Sequence, residues 1–300
     1  MLTLLFATLT LSSPAHASKK DDERFLSAVS QIEADRSSQT PAAVQAELEA
    51  LLGTYRPKSK VQGDALEKAL RESAVAYHTE ARKLRSGPEA AERSAVAEAL
   101  YRDYMATFPN APAAYDMHYA FGELLYGLKK FDEAYFEYVK VADLDPAGAH
   151  TKFCVESAIF AAQEMQKTEQ HPPGELSTWD MRALIVMDRY TELYPEDPKV
   201  QKILYQSAYL TYNRGLHADA TPRFTRVIAM NPGSKEAEMA ANLVLDSLVT
   251  SGDFRALRDT ALTFIQMEGL GSPAFQSELQ GIYVAASCKI GEPLPGSQCP

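Results

Sequence analysis

Prolines at 109, 146, 195 and 232 each close a helix-periodic run, and they stand 37, 49 and 37 residues apart. Proline cannot continue an α-helix, because it lacks the N–H and its ring clashes with the preceding turn. A chain punctuated in this way must build its fold from short helices of similar length. The window 113–146, AAYDMHYAFGELLYGLKKFDEAYFEYVKVADLDP, shows what lies between two stops. Phe121, Leu125, Phe131, Tyr138 and Val141 recur at spacings of 3, 4, 6 and 7, which is the periodicity of helices and not of strands. Gly122 and Ala134 put a small residue in each of two predicted helices, where two backbones can approach closely. One such pair cannot bury its apolar seam alone and must share it with its neighbours.

The arrangement recurs. In residues 201–232, Ala208, Ala220, Phe224 and Pro232 stand where Gly122, Ala134, Tyr138 and Pro146 stood. Residues 149–195 read as a unit with an insertion: Phe153, Ser157 and Phe160 suit its first helix, Tyr190 and Pro195 the end of its second. The insertion, KTEQHPPGELST at 167–178, contains Pro172-Pro173-Gly174, which breaks any helix. Ser177 followed by Asp180 then reads as a helix start. Residues 237–268 form a fourth, degenerate copy with Gly252-Asp253-Phe254 as its turn, and 97–109 reads as the second helix of an earlier unit.

Units of about 34 residues with these small, aromatic and proline positions resemble the tetratricopeptide repeat family. The resemblance implies an all-α fold, a right-handed superhelical solenoid of tetratricopeptide-like helix pairs over residues 109–268. It also implies that the first helices of successive units line a concave groove that takes a partner segment. Carried onto the two clear copies, the groove positions are Tyr119, Glu123, Tyr126 and Gly127 in one, and Tyr205, Tyr209, Tyr212 and Asn213 in the other. Tyr119 is equivalent to Tyr205 and Tyr126 to Tyr212, which makes a ladder of tyrosines with Glu123 beside it. Tyrosine combines large contact area with a polar tip and suits such a surface; packing between helices is the competing reading of the same residues. The stretches at 104–134 and 189–215 are similar in style to envelope repeat proteins of Gram-negative bacteria, such as the Tol–Pal partner YbgF and the lipoprotein of the outer-membrane barrel-assembly machine.

Residues 1–17, MLTLLFATLTLSSPAHA, carry an apolar run and then Ala15-His16-Ala17, the pattern of a secretory signal cleaved after Ala17. The run is too short for a stable membrane span, and no cysteine stands nearby to take a lipid. Residues 18–108 read as a helical N-terminal region with degenerate repeats. Thr40-Pro41 is an N-cap followed by proline at the first helical position, and Gly53 is a plausible stop. A long polar helix is expected from about Asp64 to Arg85, ended by Ser86-Gly87-Pro88. A separate helical N-terminal domain is the alternative. Residues 269–300 are expected to hold a C-terminal helix and a tail in which Cys288 and Cys299 close a disulfide loop, as an oxidising compartment allows. Cys154 is expected to be a small buried hydrophobe.

The formal net charge is −10, which disfavours nucleic acid and anionic lipid as partners. Histidines at 78, 118, 150, 171 and 217 make no i,i+4 pair and no H-E-x-x-H; His118 reads as a packed residue. No nucleophile elbow or phosphate-cradling glycine loop is present, and the cysteines have no metal-site spacing. No catalysis, cofactor or metal is expected. The sequence thus points to an exported, periplasmic scaffold that holds a protein partner of the cell envelope in its groove. The alternatives are a structural subunit of a gliding-motility or secretion machine, or an accessory factor for a cell-wall or polysaccharide enzyme.

Overall fold

The computed structural model describes residues 18–296, 298 and 299 of the chain. The signal-like segment 1–17 lies outside the described residues. Those residues hold thirteen α-helices and no strand, and they divide after Leu128 into two units.

The first unit holds α1 (Lys19–Asp35), α2 (Pro41–Thr54), α3 (Lys60–Leu84), α4 (Pro88–Thr107) and α5 (Ala114–Gly127). Local chemistry fixes the starts. Ser18 and Asp21 form a reciprocal capping box on α1, Thr40 accepts the Ala43 amide ahead of Pro41, and Ser59 accepts the Gln62 amide. Two expected boundaries shift slightly. The long polar helix begins at Lys60 and not near Asp64, because Ser59 supplies its cap. Gly53 does not stop α2, which runs on to Thr54. α1 and α2 form one hairpin and α3 and α4 another; α1 lies on α3, and α2 on α3 and α4. Leu48, Leu66, Leu70, Leu100, Tyr101 and Tyr104 fill the space between them. Tyr101 stacks on Phe121 of α5 at 5.2 Å and 16°. The Tyr104 hydroxyl donates to Glu67 at 2.8 Å, and burial together with that carboxylate raises its pKa. Gly122 and His118 are buried on α5.

The second unit holds α6 (Phe131–Leu144), α7 (Thr151–Gln166), α8 (Thr178–Leu193), α9 (Val200–Asn213), α10 (His217–Met230), α11 (Lys235–Ser251), α12 (Phe254–Gln266) and α13 (Pro273–Lys289). From α6 to α13 each helix packs on the next, and α11 also touches α9. This nearest-neighbour packing is that of a stack of tetratricopeptide-like helix pairs, in which no contact skips far along the chain. Ala208 on α9 and Ala220 on α10 are both fully buried, as close backbone approach requires, and Tyr138, Tyr190 and Phe224 fill the layers between. Gly252, at φ +72°, makes the expected turn between α11 and α12. Cys154 is buried. Cys288 and Cys299 form a disulfide, with their Cα atoms 5.6 Å apart.

Candidate partner-binding faces

On α9, residues Lys202, Tyr209 and Asn213 recur at helical spacing and are exposed, with Tyr205 and Gln206 half-buried beside them. Tyr205 and Tyr209 stack at 5.8 Å with their rings 13° from parallel, and Tyr205 also leans on Phe224 of α10 at 6.0 Å. Burial, Tyr209 and Glu236 each raise the Tyr205 pKa. Tyr212 has a different position. Its hydroxyl donates to Asp246 of α11, its ring meets His217 edge-on at 4.8 Å, and the Asp246 hydrogen bond, then burial, pushes its pKa up to about 12. Tyr212 therefore ties α9 to the helices that follow, while Tyr209 presents its ring to solvent.

In the first unit, Tyr119, Glu123 and Tyr126 are half-buried on α5, and each already engages a neighbouring group. Gly127 is exposed at the C-terminal end of the same helix.

The cleft between α7 and α9 was not legible as a site. It encloses about 230 Å³ between Glu156, Ile159 and Phe160 on one side and Lys199, Lys202 and Ile203 on the other. Lys199 Nζ donates to both Glu156 oxygens at 2.9 and 2.8 Å, bridging the two helices. Phe160 is 56% exposed and Phe153 47%. Both residues suit α7, but they face outwards, and the small residues Cys154, Ala158 and Ala161 occupy the buried seam. Met239 and Val249 extend the exposed apolar character onto α11.

The insertion between α7 and α8 is tied down from several sides. The Asp180 carboxylate is fully buried and accepts from Gln166 Nε2 at 2.7 Å, from the Ser177 amide at 3.0 Å, and from Arg214 at 2.8 and 3.0 Å. Burial alone would raise its pKa, but the Arg214, Ser177 and Gln166 hydrogen bonds outweigh it and hold the carboxyl at about 2. The Gly174 amide donates to the Arg214 carbonyl at 2.6 Å, and the Trp179 amide to Glu169 at 3.0 Å. A second exposed cluster lies on α6 and α8. The Arg182 guanidinium sits over Trp179 at 4.4 Å and over Phe136 at 4.8 Å, and Ile185 is 63% exposed one turn on.

Among the described residues no helix is long and apolar enough to cross a membrane, and no group of His, Cys, Asp or Glu is arranged to hold a metal ion. No protein-family profile matches the chain, and no curated protein does. Among solved structures, a tetratricopeptide repeat protein from Parabacteroides merdae is 14% identical, covering 74% of this chain and 75% of its own, at a TM-score of 0.37. A Pseudomonas aeruginosa structure described as pilF is 16% identical, covering 88% and 99%, at 0.31. Yeast Tom70 is 14% identical, covering 96% and 67%, at 0.28. At such TM-scores none of these likenesses supports a functional inference.

Proposed function

We propose that this protein is a non-catalytic scaffold of an exported envelope complex, and that it binds a partner segment along the outward face of α7, α9 and α11. The observation that carries this reading is the stacked Tyr205–Tyr209 pair, whose exposed Tyr209 shares α9 with the Lys202 and Ile203 wall of the α7–α9 cleft. Rigid aromatic anchors next to an apolar cleft with a few charged groups are what a recognised segment needs. Tyr212 and Asn213 border this face, with Tyr119, Glu123 and Tyr126 as the corresponding positions of the first unit. A periplasmic location is supported by the signal-like first 17 residues and by the Cys288–Cys299 bridge, which suits an oxidising compartment.

A second reading rests on Phe136, Arg182 and Ile185: a subunit of a larger machine would be held by this α6–α8 surface instead. In-cell crosslinking and pull-down separate the two. Tyr205→Ala/Tyr209→Ala/Phe160→Ala is expected to lose the captured envelope protein, and Phe136→Ala/Ile185→Ala to keep it, with circular dichroism confirming that both variants fold. The opposite pattern assigns the working surface to α6 and α8.

A further inference from the structure

The first unit contains a cavity whose α5 wall includes Glu123 and Tyr126, two of the groove positions, and whose α3–α4 side the scaffold reading does not use. It encloses about 520 Å³ where the α3–α4 turn meets the C-terminal half of α5. Its polar wall is built from His78, Arg82, Arg85, Ser86, Ser94 and Glu123. In a chain of net charge −10, two arginines converge here, and neither makes an ion pair among the described residues. Other arginines of the same unit behave differently: Arg71 pairs with Glu67 at 3.0 Å and Arg93 with Glu80 at 3.0 Å. Glu123, on the α5 wall, has an interaction of its own with a neighbouring group.

His78 adds a largely buried ring with one unpartnered nitrogen. It is only 8% exposed, its Nδ1 lies 3.3 Å from the Tyr101 hydroxyl, and its Nε2 has no partner within the described residues. In the tautomer in which the Tyr101 hydroxyl donates to Nδ1, the ring proton sits on Nε2, on a residue that lines the cavity. Burial, reinforced by Arg82, keeps this imidazole neutral at physiological pH. The backbone adds a further observation. Arg85 holds φ +66° and ψ −49°, and the Ser86 amide donates to the Leu84 carbonyl at 2.8 Å across it. This is the positive-φ γ-turn, which is rare and strained for a residue with a side chain, and strain of this kind gathers at binding sites.

We propose that this cavity is a binding site for a small oxyanion, a carboxylate or a phosphate. The two guanidiniums supply forked, charged donors that suit either group, and His78 Nε2–H and the Ser94 hydroxyl complete the donor set. The site shares Glu123 and Tyr126 with the first unit's groove positions, but Arg82, Arg85 and His78 are none of them, so it stands or falls independently of the proposed α7, α9 and α11 face.

Calorimetric titration of the full chain with inorganic phosphate and with succinate, at ionic strength matched by sodium chloride, tests the site. Saturable binding of one or both is expected, and which of them binds separates phosphate from carboxylate recognition. Arg82→Gln/Arg85→Gln is expected to weaken it by at least about tenfold, the scale of lost charge-assisted hydrogen bonds. Both side chains are exposed, so the variant keeps the fold. Ser94→Asp, which adds a second carboxylate to that of Glu123 on the wall, is expected to abolish binding with both arginines intact. Bound anion is also expected to shift the His78 Nε2 resonance in nitrogen-15 spectra. The proposal is overturned if neither anion saturates the wild-type chain, or if the arginine variant binds as tightly as wild type.

Discussion

Two buried polar residues, Asp180 in the second unit and His78 in the first, are handled in opposite ways. Asp180 is charged, fully buried and bound by three neighbouring residues. His78 is neutral and nearly as buried, but is held through one nitrogen only. A buried charge that is completely partnered is a structural fastening, and removing its partners is costly. A ring nitrogen left without a protein partner does nothing for stability that a carbon atom would not do better. The contrast separates a residue that holds a loop from one that faces a ligand site.

The largest effect is expected at the fastening. Asp180→Ala leaves the Arg214 guanidinium half-buried without its carboxylate and releases the insertion at Gln166 and Ser177. The expected cost is about 3–5 kcal/mol, read as a fall in the urea midpoint. Faster amide exchange at Gly174 is expected with it, because Arg214, which accepts that amide, would no longer be held. If Asp180→Ala unfolds at the wild-type midpoint, the carboxylate is not a fastening.

The same contrast predicts two different pH windows. Asp180 has a folded pKa of about 2, below its ordinary value of 3.8. Its contribution is present above pH 3.8 and is lost as pH falls toward 2. The His78 pKa is lowered by burial, and then by Arg82, from 6.5 to about 4. The unfolded chain therefore takes up a proton that the folded chain refuses, so stability declines as pH falls from about 6.5 to about 4. That decline is worth about 3 kcal/mol. His78→Gln keeps a hydrogen-bonding partner for Tyr101 but does not titrate. In acid-titration curves followed by exchange in the first unit, the slope between pH 6.5 and 4 should vanish in His78→Gln. A slope that survives the substitution would assign the acid sensitivity to another group.

Much of the helical plan was legible because it is written in local chemistry. Thr40-Pro41, Ser177 with Asp180, and Gly252 mark helix ends within three or four residues, and the structure uses each of them. Ala208 and Ala220 announce a close helix crossing by size alone, and both are buried. What stayed hidden is non-local. Asp180 reads in the sequence as the third residue of a capping box, and its stronger partner, Arg214, lies 34 residues away. Phe160 follows helix periodicity as well as any core residue, and only the neighbouring α9 shows that it faces outwards. His78, Arg82 and Arg85 look like scattered polar residues on a long helix until the turn at Arg85 and the approach of α5 make them one wall.

The smallest effect sharpens the contrast most, because its sign is unusual. Substitutions mostly destabilise, yet Arg85→Gly is expected to leave the fold as stable as wild type or stabler by up to about 2 kcal/mol. Glycine adopts φ +66° without the side-chain clash, and the strain relieved, about 1–3 kcal/mol, exceeds the backbone entropy that glycine adds to the unfolded chain, about 0.5–1 kcal/mol. Thermal melting of Arg85→Gly beside wild type measures this directly. An equal or higher midpoint, together with weaker anion binding, means that the turn is kept for the position of its guanidinium at a small cost in stability. A clearly lower midpoint means that the Arg85 side chain stabilises the α3–α4 turn itself, and the γ-turn then belongs with Asp180 among the fastenings.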